Sequence, residues 1–204
     1  MPKKDQQMRE YIATEAARFM VEHGIKNYYQ AKRKAAAFLG AADTRNLPTN
    51  QEIEQAVGAY LRLFKSKSQP ATVEKLRQTA LEAMDFFSRF NPRLVGSVLS
   101  GLASEYSDIN LHLFADTGEE VAIFLTEAGI PFQLRSRQLS LSPKLFQNFP
   151  VYRFIAGEVA VELTVFPPAA TRHAPLSPID GKPMRRAGRK KVQSLLETKA
   201  QTAD

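Results

Sequence analysis

LVGSVLSGLASEYSDINLHLFAD, residues 94–116, is the stretch that decides how this chain is read. Two apolar residues, Leu94 and Val95, run into Gly96-Ser97. Eleven residues after Ser97 stands Asp108, and Asp108-Ile109-Asn110 opens the apolar run Leu111–Phe114. A glycine-serine turn lets backbone N–H groups approach phosphate oxygens. An acid at the head of a strand can hold a divalent cation. Side chains alternate across a strand, so Asp108, Asn110 and His112 share one face, and Ile109, Leu111 and Leu113 the other. The apolar set is the expected core face, and the polar set looks toward the turn.

A second strand carries the same kind of signal. In Val159–Phe166, alternation sets Glu162 and Thr164 against Val161, Leu163 and Val165. Glutamate is disfavoured in strands, and burying its charge is costly. If this strand lies beside the Asp108 strand, Glu162 completes a carboxylate cluster. Clustered carboxylates repel one another, and a cation relieves the repulsion. Magnesium prefers oxygen ligands and bridges readily to phosphates.

Gly-Ser, this spacer, an acid at a strand head and a later acid-bearing strand together resemble the polymerase-β-like nucleotidyltransferases, over Arg93–Phe166. The signature of that family reads G-S, then D-x-D; here the second acid is Asn110. The resemblance implies an α+β domain with a mixed sheet and flanking helices. It implies that Gly96 and Ser97 contact the phosphates of a nucleoside triphosphate. By position Asp108 is the first metal-binding acid and Glu162 the third, the acid that often serves as base. Asn110 occupies the second metal-binding place with an amide oxygen and no charge, which weakens Mg2+ affinity. The expected function is Mg2+-dependent nucleoside triphosphate binding, with nucleotidyl transfer to an acceptor. The alternative is an inactive module of the same fold that binds nucleotide, nucleic acid or a protein partner.

Around this segment the chain divides by pattern. Residues 1–68 read as a helical domain. Met8, Ile12, Ala16, Phe19 and Met20 fall at helical spacing. Asn27 with Gln30 can cap a second helix, and Thr49 with Glu52 forms a capping box for a third. The polar stretch Lys65–Ala71, with Pro70, is the expected linker. Residues 72–170 form the nucleotidyltransferase-like domain, entered by a helix from Thr72 to Phe90. Strands are expected at 93–95, 109–114, 132–135, 138–141, 152–156 and 159–166, with a hairpin turn at Gly157-Glu158. Thr117 with Glu120 caps another helix. Residues 171–204 read as an extended basic arm ending in a short helix with Val192, Leu195 and Leu196 on one side. Little else in the tail is apolar, so removal of residues 184–204 is expected to leave the fold intact.

Composition bounds the rest. The chain has 204 residues, 44% of them hydrophobic, and a net charge of +7. It has no cysteine, which excludes disulfides, thiolate nucleophiles and Cys-ligated metals. No window of 18 apolar residues exists and the N-terminus has no apolar leader core, so a cytoplasmic location away from the membrane is expected. The charge is uneven: +5 over residues 1–69, −3 over 70–170 and +5 over 171–204. The basic arms can hold a polyanion. Ala31–Ala35, AKRKA, reads as a solvated helix face, with a helix-turn-helix reader as the competing reading. His112 reads as a wall residue rather than a ligand, and no zinc-type histidine spacing is present.

Overall fold

A computed structural model describes residues 3–200. Met1, Pro2 and 201–204, the ends of the two basic arms, lie outside the described residues. The fold is α+β, with seven α-helices and one five-stranded mixed sheet among the described residues. The chain forms two compact units. The first comprises residues 1–71 with Ser104–Tyr106 and Pro178–Asp180, and the second holds the remainder. Among the described residues no helix is long and apolar enough to cross a membrane.

The first unit is built on α1 (Lys3–His23), α2 (Tyr28–Phe38) and α3 (Asn50–Phe64). Its buried side chains are small: Ala16, Ala17, Ala31, Ala35 and Ala36 are fully buried with Ile12 and Ile53. Alanines let helices approach closely and also favour the helix itself. The caps follow the sequence signals. The Asn27 side chain accepts from the Gln30 N–H, and Thr49 and Glu52 close a reciprocal capping box. Glu52 also receives both arms of the Arg9 guanidinium, at 2.8 and 2.6 Å. That hydrogen bonding, with help from Thr49, holds the Glu52 carboxyl down at about 2. A depressed carboxylate contributes stability that is present above its ordinary value of 4.5 and lost as pH falls toward 2. Melting followed by circular dichroism is expected to show this loss between about pH 4.5 and 2, and Glu52→Gln is expected to shrink it. An unaltered pH profile in the variant would contradict the assignment.

The second unit opens with α4 (Gln69–Phe86). Pro70 lies in the first turn of this helix rather than in a linker, where its missing N–H costs no helical bond. The expected helix to Phe90 stops early. Ser88–Phe90 tighten into a 3-10 turn, and Asn91 takes a left-handed conformation at φ 48°. Next come β1 (Arg93–Val95), α5 (Gly96–Ser100), β2 (Ile109–Phe114) and α6 (Gly118–Glu127). β3 (Gln133–Ser142), β4 (Leu145–Ala156), β5 (Val159–Phe166) and α7 (Arg189–Ala200) complete it. The two short strands expected at 132–135 and 138–141 are one strand, β3. It is an edge strand whose residues are mostly exposed, so its polar Arg135-Ser136-Arg137 centre stays extended without apolar alternation.

The sheet order is β1-β2-β5-β4-β3, with β2 and β5 parallel and the other neighbours antiparallel. One face is the core. Ile109, Leu111, Leu113, Val161, Leu163 and Val165 belong to a cluster with Val73, Leu76, Ala80 and Met84 of α4 and Val121 and Leu125 of α6. The packing of the C-terminal segment runs against the expectation that residues 184–204 can be removed with the fold intact. Ala187 pairs with Leu94 at the free edge of β1 through hydrogen bonds of 2.8 and 2.9 Å. Ala187 and Val192 are buried in the main core, and Leu195 and Leu196 pack against it. Five basic residues around Ala187 hide this apolar role in the sequence.

Candidate functional site

The second face of the sheet carries the chemistry. Register places Val95, Asn110, Glu162 and Arg153 in one row across β1, β2, β5 and β4. Asp108 lies two residues before Asn110, in the same phase. Asp108 itself precedes β2, and its carboxylate comes within 4.0 Å of Arg153, which stands opposite Glu162. The Gly96-Ser97 turn abuts Asn110, since a Cβ at Gly96 would lie 3.7 Å from Asn110 Nδ2. Gly96 has φ +75°, a conformation that glycine adopts freely and that L side chains rarely adopt. The turn is held from behind by Arg77, which donates to the carbonyls of Val98 and Leu99 at 3.1 and 3.2 Å.

Neither acid stands without a countercharge. Arg137 pairs with Glu162, whose side chain is only 11% exposed. Arg153 Nη2 lies 4.0 Å from Asp108 Oδ1, also 11% exposed. Asn110 Nδ2 donates to the Asp108 carbonyl at 3.2 Å. Two rows toward the far end, Arg93 stands opposite His112, and His112 opposite Thr164. His112 is a buried wall residue. Burial first, then Arg186 and Arg137, pushes it down to about 3, so it is neutral. Its Nδ1 accepts from Arg186 Nε at 3.0 Å. Arg186 comes from the C-terminal segment. It stacks over Phe114 and Phe166 and donates to the Ala170 carbonyl at 2.8 Å. Burial, then Arg93, lowers it to about 10. Its Nη2 is buried with no hydrogen-bond partner, the one such side-chain atom among the described residues.

A metal centre can be tested against these residues. Among the described residues no group of three or more His, Cys, Asp or Glu is assembled. Asp108 and Glu162 each face a guanidinium, which supplies the positive charge that a cation would bring. Asn110 directs its amide N–H inward. This arrangement does not fit a two-metal centre. One divalent ion between the acids would have to compete with Arg137 and Arg153.

The arginines are what sequence reading missed. Arg135 and Arg137 alternate in β3, which places them on one face, but nothing local says which face. Arg153 reaches Asp108, and Arg186 reaches His112, only through contacts distant in sequence. No protein-family model matches the chain, and no curated protein or solved structure matches it either.

Proposed function

We propose that the second unit binds a nucleoside triphosphate on this sheet face, as a nucleotidyltransferase-like module in which arginines take the place of metal ions. One observation carries the reading: the face holds five guanidinium groups, Arg93, Arg135, Arg137, Arg153 and Arg186, against two carboxylates. Guanidinium forks match phosphate oxygens bidentately, and a like-charged cluster on one face draws a polyanion. Gly96 and Ser97 border the row and are the residues to meet the terminal phosphates. A second reading, Mg2+-dependent nucleotidyl transfer with Asp108 and Glu162 as ligands and Glu162 as base, is favoured by Arg153, which lies 4.0 Å from Asp108 and stands opposite Glu162 and so brings the two acids into one neighbourhood.

Titration calorimetry with ATP and GTP separates the two. The arginine reading expects binding that persists in EDTA and falls about tenfold or more in Arg137→Gln/Arg153→Gln, each lost charged hydrogen bond being worth about 1.5–3 kcal/mol. Binding only with Mg2+, together with transfer of labelled NMP, selects the metal reading instead. No heat with either nucleotide in either buffer would sink both. Asn110→Asp completes a three-acid set and is expected to tighten Mn2+ binding relative to the parent chain. Unchanged Mn2+ affinity would show that charge at this place no longer governs metal binding.

A further inference from the structure

The helical unit holds a surface that the sheet site does not use. Between Glu22 and Asp43 the chain has no acidic residue and four cations, Lys26, Lys32, Arg33 and Lys34. These lie on or just before α2. The inward side of the helix is Ala31, Ala35 and Ala36, all fully buried. The exposed arc presents Gln30, Arg33, Lys34 and Ala37, with Tyr29 and Phe38, nine residues apart, at its two opposite borders. Tyr29 and Phe38 are 66% and 65% exposed, an unusual state for large rings. Tyr29 and Arg33 are four residues apart, as are Lys34 and Phe38, so each ring sits beside a cation on the helix surface.

The acids of α1 and α3 do little to neutralise this side. Glu52 is engaged by Arg9, and Glu15 and Glu22 by Arg18. Lys32 is spent on the Pro48 carbonyl and Asn50. Arg33 makes no ion pair among the described residues. Lys34 Nζ lies 4.9 Å from the Phe19 ring centroid, so its charge rests on an aromatic surface, while Arg18, its charge shared with Glu15 and Glu22, lies over Phe38 at 5.7 Å.

We infer that the outer face of α2 binds single-stranded nucleic acid, with Arg33 and Lys34 on phosphates and Tyr29 and Phe38 as stacking platforms for bases. Charge complementarity selects a polyanion. The exposed rings select a single strand, because stacked bases in a duplex do not offer their faces. A major-groove reader would present polar side chains from the first turn, whereas here the Asn27 side chain is used as the helix cap. The inference stands apart from nucleotide binding on the sheet.

The test is fluorescence anisotropy on the full chain with labelled single-stranded and duplex 20-mers at two salt concentrations. Single-strand binding is expected, preferred over duplex, with a log–log salt slope of about −1.5 to −2 from two or three phosphates. Arg33→Glu is expected to weaken it about tenfold or more and to flatten the slope. Tyr29→Ala is expected to weaken it about fivefold or more with the slope retained, because stacking releases no counterion. Both positions are exposed, and unchanged melting temperatures confirm intact folds. Absence of binding at low salt, preference for duplex, or binding that ignores both substitutions would each overturn the inference.

Discussion

Removal of residues 186–204 is expected to lower the melting temperature of the second unit by roughly 10–20 °C. The deleted segment takes Val192, fully buried, and Ala187 out of the core, and uncovers the surface beneath Leu195 and Leu196. It also removes both hydrogen bonds that Leu94 makes at the edge of β1. Burial of one valine and two half-buried leucines, with two backbone hydrogen bonds, amounts to about 4–6 kcal/mol. At about 2–4 °C per kcal/mol for a chain of this size, that gives the stated shift. The exposed Arg189–Asp85 pair adds little. Differential scanning calorimetry of the truncated chain checks the result. A melting temperature within two degrees of the full chain would mean that the arm lies on the surface without supporting it.

Arg77→Met is expected to cost about 2–4 kcal/mol, because carbonyls that now accept from a guanidinium are left with a thioether of similar reach. Arg77 is 9% exposed and donates to Val98, Leu99 and Leu195. Burial lowers its pKa, yet the carbonyl dipoles that receive it keep the cation useful. Its partners tie α5 to α7, so the substitution is also expected to loosen the Gly96-Ser97 turn. Arg77→Lys is expected to fall between the parent and the methionine variant, since one ammonium reaches fewer carbonyls. Chemical denaturation of the three proteins measures the order. Equal midpoints would show that the carbonyls find water as good a partner as Arg77.

Local signals were readable where the physics is local. The Thr49–Glu52 and Thr117–Glu120 capping boxes both form, because each needs only residues three apart. The two-residue turn at Gly157-Glu158 joins β4 to β5, with Gly157 at φ 61°. Strand phase alone put Asp108, Asn110 and His112 on one face. The partners of those residues were not readable. Arg137 reaches Glu162 across 25 positions and Arg186 reaches His112 across 74. Sequence distance hides such pairs, and a basic run such as Arg185-Arg186 looks solvated whether or not one member is buried against rings. The continuity of β3 was missed for the opposite reason. A strand at the rim of a sheet can be polar on both faces, so periodicity has nothing to report.

That polar rim has a consequence for the behaviour of the protein in a crowded solution. A five-stranded open sheet has two borders at which a foreign strand can dock and seed self-association. One border here is β1, three residues long and already bonded to Ala187. The other is β3, ten residues long, with Arg135 and Arg137 at its centre. An in-register parallel copy, or an antiparallel one centred on Ser136, would bring the same two arginines against them. Repulsion between like charges in adjacent strands opposes that addition. Arg137, which pairs with Glu162, thus also acts with Arg135 as a guard against fibre-like growth.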